Sequence, residues 1–456
     1  MARLFGTDGV RGIANKDLTP DLAFKLGYAA ANILTDKSKG RPRVVVGEDT
    51  RISCGMLASA LVAGLCSAGA DAVECGVVPT PAAAWLVGHY EADAGVVISA
   101  SHNSFEFNGI KLFGGDGYKL DDATEDLIEA HVKKHREKDF NRPWGEDVGR
   151  KIEAIDAIDF YREHLEKTVK VDLTGMRIGL DCANGASYQI APRLFRDLNA
   201  EVYAIGVDPD GYNINRNCGS THLEKIKALV KEKNLDLGFA FDGDADRVLA
   251  VDSAGCACDG DVIMSILALS LMKLGKLKQQ TLVATVMSNF GLDHMAADNG
   301  IILERTQVGD RYVMERMREG DFTLGGEQSG HIIMREHSTT GDGILSALKL
   351  LKALNTNGQK LEQARKMVKI CPQVLKNARV SSEIAKKKIM SNSKLNKKIK
   401  EIEEILGNSG RVLVRPSGTE PLIRVMLEAD DADLINRYAD ELVALVYTLD
   451  KDNKRY

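Results

Sequence analysis

Three aspartates alternate in the stretch FDGDADR, residues 241–247: Asp242, Asp244 and Asp246. In an extended chain, residues two apart share a face, so the three carboxylates would crowd together. Like charges that close raise one another's pKa unless a cation neutralises them. Hard oxygen ligands completed by a phosphate oxygen suit Mg²⁺. An EF-hand is excluded, because Arg247 stands where its loop glycine belongs and Ser253 where its bidentate glutamate belongs. Arg247 beside the triad points to an anion at the same place.

A second stretch, VVISASHNSFEFNGIK (96–111), starts as a short apolar strand and breaks into groups that bond their own backbone. It gathers hydroxyls at Ser99, Ser101 and Ser104, the imidazole of His102 and, further on, Lys111: a nucleophile with activating groups. Chemistry alone does not choose among the three serines. In RPSGTEPLIR (415–424), Gly418 lets backbone N–H groups turn inward as an anion nest. Ser417 and Thr419 add hydroxyl donors there, and Arg415 a bidentate charge suited to phosphate. Arg424 fits the same phosphate or a structural ion pair. In GGEQSGH (325–331) the glycine spacing imitates a nucleotide cradle, but His331 replaces the lysine that such a loop needs. Glu327 and Ser329 read instead as partners for sugar hydroxyls.

The elements that must hold these loops repeat one pattern three times. Helix and strand alternate through LTPDLAFKLGYAAANIL, RVVVGEDTR, the helical stretch from Ser53 to about Ala70, ADAVECGVV and PAAAWLVGHY. The alternation restarts at MRIGLDCANG and closes with LGFAFDGDADRVLAVD, read as one strand. A third unit runs from DVIMSILALSLMKLG through TLVATVMSN and ILERTQVGD to FTLGGEQSGHIIM. After about residue 368 the texture changes to Lys-rich helix, read as a solvated face, then strand, turn, strand and an amphipathic helix. The fold expected is α/β: three similar mixed α/β domains plus a smaller C-terminal α+β domain, bounded at 1–152, 153–255, 256–367 and 368–456.

Composition agrees with a soluble cytoplasmic enzyme. The chain has 456 residues, 44% of them hydrophobic, and 60 Lys+Arg against 65 Asp+Glu, which leaves no basic footprint for nucleic acid. No apolar run is long enough to span a membrane, and the opening MARLFGTDGVRG lacks a secretory h-region. Eight scattered cysteines, Cys256 and Cys258 included, fit a reducing compartment and structural roles.

Together SASHN, DGDADR, GEQSGH and RPSGTEP, in this order and with the opening FGTDGVRG, resemble the α-D-phosphohexomutases over essentially the whole chain. LFGTDGVRG, VGDRYV (308–313) and Gln328 are most similar to the glucosamine-phosphate branch; the mannose- and glucose-phosphate branch is the alternative, and a non-catalytic sugar-phosphate binder a more distant one. The resemblance implies four domains around a central cleft, with the fourth closing over the substrate. It implies that Ser101 is a phosphoserine which forms a sugar bisphosphate, a compound that also serves as activator. Mg²⁺ is then held by Ser101, Asp242, Asp244 and Asp246, with Arg247 assisting. Arg415, Ser417, Gly418, Thr419 and Arg424 clamp the non-reacting phosphate of a hexosamine phosphate, and Glu327 and Ser329 hold its ring hydroxyls. Lys111, His102 and His331 stand unranked as acid–base candidates, with Arg11 assisting. A homodimer through the first domain is a further implication.

Three positions depart from the family pattern. Ser104 follows Ser-His-Asn where proline is usual, which implies a looser loop. Phe107 stands where a polar residue is usual. Glu48 replaces a basic residue before Asp49-Thr50-Arg51, so that turn carries no expectation of substrate binding.

Overall fold

The computed structural model describes residues 3–6, 8–36, 40–134, 141–417 and 420–453. They form four sheets grouped into two compact units: residues 1–287 with 301–366, and residues 288–300 with 367–456.

The first unit contains three sheets. In the first, Arg43–Glu48 lies between the parallel strands Asp71–Val77 and Ala94–Ile98; Phe107–Gly114 then runs antiparallel to Ala94–Ile98, and Val10–Ile13 antiparallel to Phe107–Gly114. The second places Arg177–Asp181 between Glu201–Ile205 and Leu237–Phe241, both parallel to it. The third places Thr281–Thr285 between Ile302–Thr306 and Leu324–Gly326 in the same way. Strands buried on both faces, such as Ala94–Ile98 and Leu237–Phe241, are apolar throughout because helices cover both sides. Polar residues punctuate the helices: Thr19 caps Pro20–Ile33, Asp259 caps Gly260–Lys273 and Asp342 caps Gly343–Asn357, each accepting from a first-turn N–H.

One device recurs in all three sheets. The last parallel strand turns back into an antiparallel partner: Ala94–Ile98 into Phe107–Gly114, Leu237–Phe241 into Val248–Asp252, and Leu324–Gly326 into Ile332–Met334. The three chemistry-bearing loops of this unit are those three reversals. LGFAFDGDADRVLAVD is therefore two antiparallel strands and not one. The aspartates converge because residues 242–247 form a tight turn, with Ala245 at φ 56°, rather than through strand alternation.

The C-terminal unit is a three-stranded antiparallel sheet, with Leu422–Ala429 between Gln373–Arg379 and Gly410–Pro416, packed with Glu383–Met390, Ser393–Leu406 and Ala432–Asn453. It also recruits residues 288–300, which the sequence pattern assigns to the third domain. The reason is Glu428, a fully buried carboxylate that accepts from Asn289, the Phe290 N–H, Gln373 and Arg411. A buried charge needs that many donors, and two of them come from the helix start at 289–290.

Candidate active site

Ser101 sits three residues past the apolar strand Ala94–Ile98, with φ at 51°, a left-handed conformation that costs a non-glycine residue energy and marks a constrained site. Its hydroxyl donates to Asp242 Oδ2 at 2.7 Å and lies 3.2 Å from His102 Nδ1. The backbone is fixed from outside the loop. Arg51 donates to the carbonyls of Ser101, Asn103 and Phe107 at 2.9, 2.9 and 3.1 Å, and also to that of Ser104. Asn215 donates to Ser101 and Asn103 as well. Asp49 orients Arg51 at 2.8 Å and accepts from Ser99 Oγ at 2.6 Å. The turn set aside on sequence grounds thus positions the Ser101 backbone, and Ser104 is tied through its carbonyl without needing a proline. Ser99 serves Asp49 and the Ser101 N–H, while the Ser104 side chain lies at the exposed end.

The three aspartates are buried, and one oxygen from each lies within 4.8 Å of the others. Gly243 has no alternative, because a Cβ there would stand 2.5 Å from the Ser101 carbonyl. Lys111 Nζ reaches Asp244 at 2.7 Å, Asp8 at 3.1 Å and Asp246 at 3.7 Å; Thr80 Oγ1 donates to Asp244 at 2.6 Å. Burial, then the charges of Asp246 and Asp244, pushes Asp242 well above the usual carboxylate range. Burial acts on Asp246 in the same sense, but Lys111 and His331 hold it below. Asp244 Oδ1 and Asp246 Oδ1 are buried without a hydrogen-bond partner among the described residues. A triad of hard oxygens with unused buried lone pairs fits a divalent cation, and Mg²⁺ suits it.

Arg247, Arg11, His102, Asp246, Glu327, Ser329 and His331 line one cavity of about 730 Å³. The Nε atoms of Arg11 and Arg247 are buried with no hydrogen-bond partner among the described residues, although Arg247 Nε lies 3.7 Å from Asp246 Oδ1, which leaves both N–H groups able to turn to an anion. Arg247 Nη1 lies 3.2 Å from His102 Nδ1, and burial with the nearby Arg247 and Arg11 charges lowers the imidazole pKa to about 4, so His102 is neutral at physiological pH. The Gly341 N–H donates to His331 Nε2 at 3.0 Å, which places the proton of the neutral ring on Nδ1, 3.5 Å from Asp246. A Cβ at Gly341 would strike the imidazole. Glu327 accepts from the Gly309 N–H at 3.1 Å and faces Ser329 Oγ at 3.5 Å.

A second ring of charge has no counterpart in the sequence reading. Asp8 binds Lys111, Lys119 and Arg11, Lys119 also binds Asp310, and Asp310 lies 3.5 Å from His331 Nε2. Asp8 and Asp310 belong to FGTDGVRG and VGDRYV, so the signal lay in stretches already singled out. Their lysine partners, Lys111 and Lys119, sit more than 100 residues away, where local spacing says nothing.

Arg415, Ser417 and Arg424 lie in the C-terminal unit. Arg415 and Arg424 are paired directly across the antiparallel strands. Neither has a carboxylate within ion-pair distance among the described residues, and burial together with Arg424 lowers the pKa of Arg415. Ser417 is buried with no hydrogen-bond partner for its Oγ among the described residues, and Lys386 donates to the carbonyls of Ser417 and Glu420. Lys386 is thus buried, unlike the solvated lysines around it. Gly418 and Thr419 lie outside the described residues.

Known proteins agree with this chemistry. The four domain models described as phosphoglucomutase/phosphomannomutase, α/β/α domains I, II and III and the C-terminal domain, match residues 2–139, 159–255, 259–370 and 375–445. A protein of Acetivibrio thermocellus named phosphoglucosamine mutase is 54% identical over 98% of this chain and 99% of its own length. One of Ruminiclostridium cellulolyticum with the same name is 53% identical over the same shares. Among solved structures, a phosphoglucomutase/phosphomannomutase family protein of Burkholderia thailandensis superposes with a TM-score of 0.82 at 22% identity, covering 98% of both chains. N-acetylphosphoglucosamine mutase of Aspergillus fumigatus, solved with GlcNAc-6P and magnesium, gives 0.68 at 16% identity over 98% of this chain and 96% of that one.

Proposed function

The chain belongs to the phosphoglucomutase/phosphomannomutase family, and from that premise we propose that it interconverts glucosamine 6-phosphate and glucosamine 1-phosphate through a phosphoserine at Ser101 and a sugar bisphosphate. It is an intramolecular phosphotransferase, and its 1-phosphate product feeds UDP-N-acetylglucosamine synthesis. The observation that carries the reading is the 2.7 Å contact between Ser101 Oγ and the three-carboxylate site.

Ser101, Asp242, Asp244 and Asp246 would hold the metal, which when bound neutralises charge on the transferring group. In each half-reaction a sugar hydroxyl oxygen forms a bond to phosphorus as the bond from Ser101 Oγ breaks, or the reverse. Arg247 and Arg11 offer their unused N–H groups to the phosphoryl oxygens. The hydroxyl proton passes to a group that faces the cavity. His102 and His331 do so, whereas Lys111 is committed to Asp244, Asp8 and Asp246 and serves to offset their charge. Both imidazoles carry partners, His102 at Nδ1 with Arg247 and His331 at Nε2 with the Gly341 N–H, so the two stand as equal candidates for the proton carrier at the sugar. Glu327 and Ser329 hold ring hydroxyls. Arg415, Arg424 and Ser417, with Gly418 and Thr419, bind a phosphate of the sugar, and the bisphosphate acts as activator.

No helix among the described residues is long and apolar enough to cross a membrane. All eight cysteines are free, which supports a reducing cytoplasm. We keep a homodimer and the division at 152, 255 and 367 as part of the same proposal. The deciding experiment is a phosphorus NMR time course with Mg²⁺ and a trace of sugar bisphosphate on glucosamine, glucose and mannose 6-phosphates separately. Fastest conversion of the glucosamine compound is the expected result; faster turnover of another hexose overturns the specificity, and no turnover of any overturns the mutase.

A further inference from the structure

A second cavity, of about 220 Å³, opens beside the helix Gly343–Asn357. Lys349 and Lys352, three residues apart on that helix, line it together with Lys276, which follows the helix Gly260–Lys273. Residues three apart project from the same helix face, so two ammonium groups enter from one side. Leu267, Leu271 and Met334 supply apolar wall. The cavity shares no residue with the one that holds His102 and His331.

The three lysines converge on one concave surface, Lys349 half-buried and Lys276 and Lys352 exposed at its edge. Lys366 and Lys167 each meet a glutamate one helical turn away. Among the described residues, no carboxylate lies within ion-pair distance of Lys276, Lys349 or Lys352. Lys349 Nζ instead meets a neutral acceptor, His337 Nε2, at 2.8 Å, and Lys352 donates to the Val169 carbonyl at 2.5 Å. Burial, then the charges of Lys352 and Lys276, lowers the Lys349 ammonium to about 8, and burial with Lys349 lowers His337 to about 4. Three like charges thus surround a concave surface with no direct ion pair to any of them among the described residues. Glu336 is the single carboxylate lining the cavity, and three ammonium charges against it leave +2. A drug-sized ligand needs a cavity of at least about 300 Å³, so this one suits a small ligand.

We propose that this cavity is a second anion site, separate from the active site, that takes a dianionic phosphate group: free phosphate or the phosphate of a small monoester. The three lysines surround the phosphate, His337 remains the neutral partner that orients Lys349, and any ester body lies against Leu267 and Met334.

Competitive acetylation tests this on the wild-type protein. A trace of acetic anhydride at pH 8 labels lysines in proportion to their free amine, and peptide mass spectrometry reads Lys349 separately from Lys366. Inorganic phosphate and glycerol 3-phosphate are titrated in turn against chloride at matched ionic strength. The expected result is saturable protection of Lys349, roughly tenfold at ten times the dissociation constant, with Lys366 unchanged. Protection by the ester at lower concentration than by free phosphate supports a ligand with a body, and the reverse supports free phosphate. Lys276→Met, at an exposed position, is expected to move the midpoint several-fold upward. Absence of protection at Lys349, equal slowing of Lys349 and Lys366, or a midpoint that Lys276→Met leaves in place overturns the proposal.

Discussion

Arg51 Nη2 donates to the carbonyl of Ser101 at 2.9 Å, so a buried arginine fifty residues upstream sets the backbone of that serine. The same guanidinium holds the carbonyls of Asn103, Ser104 and Phe107 and is itself fixed by Asp49. A single planar fork reaching four carbonyls is something that lysine's point charge cannot reproduce.

Arg51→Lys therefore keeps a cation beside Asp49 but releases the loop. We expect kcat to fall roughly 10–100-fold, since small misplacement of a reacting group costs that much. Arg51→Met also strands the Asp49 carboxylate and should cost about 3–5 kcal/mol of stability. Steady-state rates on phosphorylated enzyme, with urea melts alongside, check both; a kcat for Arg51→Lys within about twofold of wild type would remove the positioning role.

Mg²⁺ should stabilise the folded protein as well as activate it, because the triad offers buried, unpartnered oxygens at Asp244 and Asp246. At a hundred times its dissociation constant a ligand adds about 2.7 kcal/mol. A metal-free sample is expected to be inactive and to melt several degrees lower, with both properties restored by Mg²⁺. In Asp242→Asn the Mg²⁺-dependent rise in melting temperature should be largely lost. An equal rise in that variant would place the cation elsewhere.

Much of this site was legible because its reactive groups come in short runs: Ser101 with His102, Asp242 through Arg247, Glu327 with Ser329. A turn can bring such residues together without help from distant sequence. Alternation gave the right set for the aspartates but the wrong geometry, since a turn with Ala245 in the left-handed region imitates the spacing of a strand. The ring of Asp8, Lys119 and Asp310 was not legible, because it joins three elements far apart in sequence. The contacts of residues 288–300 were not legible for a related reason: two of their groups donate to Glu428, nearly 140 residues on, and hydrophobic periodicity does not record which buried carboxylate needs which donor.

Arg415 and Arg424 face each other across a strand pair with no acid between them. Directly opposed like charges destabilise a sheet by roughly 0.2–1 kcal/mol, and a bound phosphate reverses the sign. Arg415→Gln should therefore make the C-terminal unit slightly more stable while raising KM for the sugar phosphate about tenfold or more, the loss of one charge-assisted contact. Urea midpoints and KM measured on the same preparation check it. A variant that is less stable and has an unchanged KM would show that Arg415 is structural.

Glu48 gives the chain a pH dependence separate from catalysis. Burial, then the charges of Glu74 and Asp49, raises its carboxyl to about 7, with Lys151 only partly offsetting them, and its Oε2 is buried without a partner. The unfolded chain loses this proton at the ordinary glutamate value of 4.5, so between that pH and about 7 the folded state holds a proton that the unfolded state has released. Stability from this group is complete below 4.5, declines as pH rises through the window and is gone above 7. The penalty at pH 8 is about 1–3 kcal/mol, reduced from the full shift because the side chain keeps some contact with water. Glu48→Gln removes the titration and leaves the amide neutral at every pH. Its urea midpoint should match wild type near pH 4.5 and exceed it at pH 8; a difference between the two proteins that stays constant across that range would assign the effect to the side chain's shape and not its charge.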